Sequence, residues 1–229
     1  MASGGEPLYV RTVHSLREFI HIILHLNEYL DAWSASLGAG MYVLLFLVVF
    51  CETGLVVTPF LPGDSLLFAC GVLAASPKSG INLGLLIAVL LVAAILGDAV
   101  NYAIGAAFGR KVLEKKPRWL NMRHLDRTQE FYEKHGGKTI VFARFVPIVR
   151  TFAPFVAGMG RMGYQRFALF NVGGAVTWVV SLVLLGHHFA GTEVVRKNFQ
   201  LVVLAIIVIS VLPAVVEYVR ARRAPREPS

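Results

Sequence analysis

The stretch MYVLLFLVVFCETGLVVTPFLPGDSLLFACGVLAA, residues 41–75, decides how the chain is to be read. Met41 to Cys51 is cleanly apolar. Glu52, Pro59, Pro62, Gly63 and Asp64 then interrupt the run, and Ser65 to Ala75 resumes it. A transmembrane helix needs about 20 consecutive apolar residues, and neither arm reaches that length once its breakers are honoured. The stretch is expected to form a broken or re-entrant helical element. Charge alone leaves open whether 41–57 crosses the bilayer or 41–75 is one hairpin.

A second stretch of the same kind runs from Thr139 to Gly160 and carries Arg144, Pro147, Arg150 and Pro154. Gly84 to Phe108 is long enough for a full span and holds one charge, Asp98. Phe167 to Gly186 and Phe199 to Val216 are uncharged runs of 20 and 18 residues. The composition agrees with these segments: of 229 residues, 56% are hydrophobic and 16% charged, with a mean hydropathy of +0.64. Soluble domains carry about a quarter charged residues, so a water-soluble core of this size is excluded. The fold class expected is an all-α polytopic membrane protein. Two cysteines, Cys51 and Cys70, both in apolar surroundings, are too few for a disulfide scaffold or a zinc site.

The net charge of +8 does not point to nucleic acid, because the basic residues lie beside apolar segments, where they report membrane orientation. Residues 110–138 hold nine Lys and Arg against four Asp and Glu, and the tail after Glu217 holds Arg220, Arg222, Arg223 and Arg226. Both are expected on the cytoplasmic side by the positive-inside rule. Ser76 to Leu83 then lies outside, so the first interrupted element approaches from outside and the second from inside. Two Pro- and Gly-broken segments in opposite halves are the sequence pointer to an inverted repeat with a site near the midplane. About three to four transmembrane helices complete the bundle.

Residues 1–11 are polar without an apolar core, so no cleaved signal peptide is expected. From Thr12 to Asp31, Leu16, Phe19, Ile20, Ile23, Leu26 and Leu30 share one helical face, the pattern of an amphipathic interfacial helix. The chain divides into this N-terminal part (1–40), a membrane domain (41–186), and a last span with its basic tail (187–229).

Four charges sit inside the broken elements: Glu52, Asp64, Arg144 and Arg150. Each costs roughly 2.5–3.5 kcal/mol at a helix centre, about 12 kcal/mol together if unpaired. They must therefore pair across the two elements or face a water-filled cavity. Asp64 can also cap the arm that starts at Ser65. Arginine presents a fixed fork of donors that holds phosphate bidentately and stays charged when partly desolvated. Broken helices add free N–H groups and positive dipole ends at the same depth. A carboxylate in so dry a place can take up and release protons, the requirement for coupling to a proton gradient.

Four motifs in order resemble the DedA family, which shares the VTT domain. They are Glu52-Thr-Gly-Leu-Val-Val-Thr-Pro59-Phe-Leu-Pro62-Gly63-Asp64-Ser65, then Gly97-Asp98-x-x-Asn101-Tyr102-x-x-Gly105-x-x-x-Gly109, then the run from Phe142 through Arg144, Pro147, Arg150 and Pro154 to Gly158, and the Asn171-x-Gly-x4-Trp178 step. The match spans about residues 41–186. The resemblance implies a bacterial inner-membrane protein with two opposed re-entrant elements, lipid-carrier recycling by flipping of undecaprenyl phosphate, and dependence on the proton motive force. It places the functional acids at Glu52 and Asp64 and the functional arginines at Arg144 and Arg150.

A flippase for a phosphate-bearing lipid is thus expected, with Arg144 and Arg150 binding the phosphate and Glu52 and Asp64 coupling to protons. Asp98 and Asn101, three residues apart on one helix face, line the cavity or bond a neighbouring helix; Pro59, Pro62, Pro147 and Pro154 flank the same cavity. A proton-coupled carrier of a small ion or osmolyte would use the same acids, and a scaffold assisting other membrane proteins would need no buried charges. An enzyme is not expected, since no histidine lies in or beside either broken element to serve as nucleophile or base. His14, His21, His25 and Glu28 share a face that is ordinarily solvated, so neither a metal nor a cofactor is expected. His187 and His188 end a span. Trp178 is read as packing, Trp33 and Trp119 as interface anchors, and Gly105-x-x-x-Gly109 as the end of a helix. The sequence does not decide between a monomer and a homo-oligomer.

Overall fold

The computed structural model describes residues 26–55, 63–77, 79–115, 140–141, 144, 147–160 and 162–223. Among these residues the secondary structure is entirely helical: α1 (Leu26–Leu37), α2 (Gly40–Gly54), α3 (Gly63–Ala75), α4 (Leu83–Lys115), α5 (Pro147–Met159), α6 (Tyr164–Phe189) and α7 (Glu193–Arg223). α4 and α6 each contain a 26-residue apolar span, Leu83–Phe108 and Tyr164–Phe189. At 1.5 Å per residue each is about 39 Å long, enough to cross a hydrocarbon core of about 30 Å. α2 and α3, of 15 and 13 residues, reach only about 20 Å each and fall short of it. Large apolar side chains face outward along the helices, among them Val43, Leu47, Leu169, Leu201 and Ile209, a surface suited to lipid and unsuited to water.

Local chemistry sets the boundaries. Gly38 adopts φ +50, a left-handed turn that glycine takes without steric cost, and its N–H bonds the Ser34 carbonyl at 3.1 Å to end α1. α2 stops where Leu55 turns extended. α4 is capped by the Asn82 side chain, which accepts the Leu85 N–H at 3.0 Å, while the Asn82 N–H donates to Tyr42 Oη at 2.8 Å. That last bond puts the starts of α2 and α4 at one end of the bundle. α2 then runs beside α4 in the same direction, since a Cβ on Gly97 would overlap Thr53. α3 returns to the end from which α2 set out.

Several expected boundaries move. Gly105 does not end its helix: α4 runs on to Lys115, and Gly105 instead gives way to the backbone of Phe155. The last apolar run lies inside a longer α7, with a kink at Asn198 (φ −129, ψ 37) one residue before it begins. The N-terminal helix continues past Asp31 to Leu37; its part before Leu26, with His14, His21 and His25, lies outside the described residues, as do Trp119 and most of the 110–138 segment.

Two pairs of close contacts mirror each other. A Cβ on Gly71 of α3 would collide with the Val183 carbonyl of α6, and one on Gly186 with the Phe68 carbonyl of α3. Likewise Gly105 of α4 lies on the Phe155 backbone of α5, and Gly158 of α5 on the Tyr102 carbonyl of α4. Small residues let backbones approach closely, the main route to tight helix packing in lipid. α3 is thereby locked along α6 and α5 along α4, each on a long helix of the other half of the chain.

The apolar interior falls into two clusters. The larger joins Met41, Leu45, Leu67, Leu90, Val179 and Val183, and includes the buried free thiol Cys70, whereas Cys51 is half-buried. The smaller gathers Ile140, Ala153, Ala157, Met162 and Phe167 against Tyr102. Between them, on both long helices, the buried positions turn polar: Asp98 and Asn101 on α4, Asn171 on α6. Asp98 lies ten residues inside the Phe108 end of its span, about 15 Å along the helix.

Candidate functional site

The polar layer is where the short helices stop. The last turn of α2 carries Glu52 and Thr53, the first turn of α3 carries Asp64 and Ser65, and the first five residues of α5 include Arg150 and Thr151; all six are buried. Arg144, 3% exposed, precedes α5, and the long helices supply Asp98, Asn101 and Asn171. Among the described residues this layer gathers every buried charge: three carboxylates and two guanidiniums.

The tips of α2 and α3 are joined first. The Gly63 N–H donates to Glu52 Oε1 at 3.2 Å, so the carboxylate takes one of the free N–H groups at the start of α3. Glycine lets the carboxylate come this close, because a Cβ on Gly63 would overlap the Glu52 carboxylate and push it aside. α3 begins at Gly63, placing Asp64 in its first turn rather than before it.

Arg150 then ties both tips to the second element. Its Nη2 pairs with Glu52 Oε1, and its Nη1 donates to Asp64 Oδ1 at 2.6 Å. Cross-pairing of the acids and arginines is thus half of what was expected: both acids go to Arg150, and Arg144 takes neither. Arg144 Nη2 pairs with Asp98 of α4 and also donates to Asn171 Oδ1 of α6. The reason is position. Arg144 lies against α6, where Gly174 leaves room for its stem; a Cβ there would sit 3.0 Å from Arg144 Cδ and 3.1 Å from Nε.

Asn101 ties the short helices to a long one. Its Nδ2 donates to the Thr53 carbonyl at 3.0 Å and the Thr151 carbonyl at 2.8 Å, joining α2 and α5 to α4. Asn171 Nδ2 donates to the Ile95 carbonyl at 3.1 Å, joining α6 to α4. Trp178 closes the layer on the other side: its Nε1–H donates to Asp64 Oδ1 at 2.8 Å, and its ring lies under both guanidiniums. Among the described residues, four buried polar atoms here find no hydrogen-bond partner: Glu52 Oε2, Asn101 Oδ1, Arg144 Nε and Arg150 Nε. Unpaired buried donors and acceptors cost about 1–3 kcal/mol each, more when charged, so a further polar group would be stabilised most at these four atoms.

Glu52, Asp64, Arg144 and Arg150 are therefore brought together, and Asp98 and Asn101 join them. Pro154 is buried within α5 and Pro147 opens that helix; Pro59 and Pro62 lie outside the described residues. Asn171, Gly174 and Trp178 were not among the expected site residues. Their spacing of three and four places them on one face of an otherwise uncharged span, which is the signal that could have found them. No group of three or more metal-ligating side chains occurs among the described residues.

The chain as a whole is similar to known membrane proteins. The VTT domain matches residues 61–188. The chain is 52% identical over 206 residues to Protein DedA of Escherichia coli strain K12, covering 90% of this chain and 94% of that one. It is 40% identical over 190 residues to a membrane protein of Mycobacterium tuberculosis strain H37Rv, covering 82% and 83%. Over 163 residues, 71% of this chain and 73% of the relative, it is 35% identical to the inner membrane protein YqjA of Escherichia coli. No solved structure matches it.

Proposed function

The chain belongs to the DedA family of VTT-domain membrane proteins, and from that premise we propose that it is a transporter: a flippase for a phosphate-bearing lipid carrier such as undecaprenyl phosphate, linked to the proton motive force across the bacterial inner membrane. The observation that carries this is the pair of buried arginines, Arg144 and Arg150, each with an unpartnered Nε–H inside a membrane-spanning bundle. A guanidinium offers phosphate two parallel donors and holds its charge in a dry site.

The acids supply the second half of the role. Glu52, Asp64 and Asp98 outnumber Arg144 and Arg150 by one charge. A proton on one carboxylate brings the layer to neutrality, and its release restores an acid that competes for Arg150. Glu52, with one oxygen free, and Asp64 are the proton-coupling groups, while Arg144 and Arg150 bind the phosphate. The return of α3 to the starting end of α2, and the mirrored glycine contacts, support two opposed re-entrant elements related as an inverted repeat. In that arrangement the 110–138 segment and the C-terminus face the cytoplasm.

The test is flipping of undecaprenyl phosphate in proteoliposomes, wild type beside Glu52→Gln, Asp64→Asn and Arg144→Ala, with and without a pH gradient. Flipping by the wild type, accelerated by the gradient and lost in the three variants, is the expected result. Folded wild-type protein that flips nothing under either condition transfers the site to a proton-coupled carrier of a small ion or osmolyte, with the arginines as ion-pair partners.

A further inference from the structure

The proposed mechanism uses the charges and leaves out Trp178, the largest fully buried side chain among the described residues. Its ring centroid lies 5.0 Å from Arg150 Cζ and 5.8 Å from Arg144 Cζ, within the roughly 6 Å over which a cation is drawn to an aromatic face. One indole thus receives two guanidiniums.

Two like charges in a dry layer repel, and each has a carboxylate to retreat to: Asp98 for Arg144, Glu52 and Asp64 for Arg150. The ring attracts both arginines without neutralising either. Its N–H meanwhile donates to Asp64 Oδ1, the same oxygen that takes Arg150 Nη1. The indole therefore fixes in place the carboxylate that an incoming anion must displace from Arg150. Trp178 touches both halves of the charge layer, and the unpartnered Nε–H of each arginine belongs to the two side chains that it gathers.

We propose that Trp178 is a positioning residue of the anion site, acting through Arg144 and Arg150: it holds the two guanidiniums together for a single phosphate monoester and so sets how tightly that group is bound. This role rests on the phosphate-lipid reading above and names the residue that tunes it.

Trp33→Phe and Trp119→Phe leave Trp178 as the one tryptophan of the chain, so its fluorescence reports on the layer directly. Titration of the detergent-solubilised protein with undecaprenyl phosphate is expected to change the emission saturably, and undecaprenol, which lacks the phosphate, to leave it unchanged. Arg144→Gln and Arg150→Gln should each abolish the response. In the flipping assay, Trp178→Leu should raise the half-saturating lipid concentration about tenfold while turnover at saturation stays within about twofold, and Trp178→Phe, which keeps a ring face, should shift it less.

A half-saturating concentration unchanged in Trp178→Leu overturns the proposal, as does an emission response that survives both arginine variants. If Trp178→Leu fails to fold, Trp178→Phe and the titration decide. A wild type that flips no lipid, yet responds to undecaprenyl phosphate or to inorganic phosphate through both arginines, sinks the lipid-transport reading. Thermal stabilisation by inorganic phosphate that needs about tenfold more ligand in Trp178→Leu then upholds Trp178 as the positioning residue, and an unchanged requirement overturns it.

Discussion

The two arginines of the charge layer are six residues apart in sequence and held in opposite ways. Arg150 sits on a short helix and takes its acids from the tips of two others, Glu52 at the end of α2 and Asp64 at the start of α3. Arg144 is set against the long helices: Asp98 from α4, Asn171 from α6, and the gap left by Gly174. One group has two carboxylates for one guanidinium and a carboxylate oxygen to spare; the other is a balanced pair braced by an amide. Charge that is over-supplied and carried on short, broken elements can rearrange, whereas charge matched against continuous helices stays in place. Arg150 and its acids are accordingly the mobile half of the layer, and Arg144 with Asp98 the fixed half, which presents its guanidinium to the phosphate without moving.

Removing Arg150 should produce the largest effect. Arg150→Ala leaves Glu52 and Asp64 without their shared cation, and flipping is expected to fall by about a hundredfold or more in protein that still inserts. Membrane-fraction levels and the size-exclusion profile of the extracted protein check insertion. A variant that never accumulates in the membrane makes Arg150 structural and removes the contrast.

Next in size is a comparison of two buried acids. Asp98→Asn strips Arg144 of its one carboxylate partner, and losing one member of a buried pair costs roughly 3–5 kcal/mol. Glu52→Gln leaves Arg150 paired with Asp64 and removes the surplus charge, so its cost should be near that of one ordinary hydrogen bond, about 1 kcal/mol. Unfolding of the two variants in detergent measures the difference, and equal losses would erase the distinction between the halves. Asn171→Ala should fall between them at about 1–3 kcal/mol, since it leaves one buried Arg144 donor without its acceptor and removes the added bond to the Ile95 carbonyl.

The sequence made the outline of this bundle readable because membrane physics is one-dimensional along the chain. Apolar length separated the spans of α4 and α6 from the short arms of α2 and α3, and burial cost forced Glu52, Asp64, Arg144 and Arg150 into one place. Which acid meets which arginine was not legible. That depends on how helices distant in sequence lie side by side, and the glycines that decide it, Gly71, Gly105, Gly158 and Gly186, signal only that something comes close. Gly105 looked like a helix end for the same reason. Trp178 looked like packing because an aromatic residue in an apolar span carries no mark of its polar neighbours; only the fold brings Asp64, 114 residues away, to its N–H.

The smallest effect expected comes from two adjacent glycines on α6, and it isolates the bed on which Arg144 lies. Around Gly173 nothing stands within 4 Å of where a Cβ would go, whereas at Gly174 the Cδ and Nε of Arg144 are at 3.0 and 3.1 Å. Alanine at 173 should therefore stabilise α6 by up to about 1 kcal/mol, because glycine is the poorer helix former and nothing is displaced. Alanine at 174 gains the same helix propensity but must push Arg144 by a few tenths of an ångström, away from Asn171 and Asp98. The two changes add the same methyl group to neighbouring positions of one helix, so their difference in stability and in flipping rate measures chiefly the fit of Arg144, the Val141 Cα at 3.4 Å being the next contact. If Gly174→Ala behaves like Gly173→Ala in both, Arg144 has slack, and the half of the layer described as fixed is as mobile as the half around Arg150.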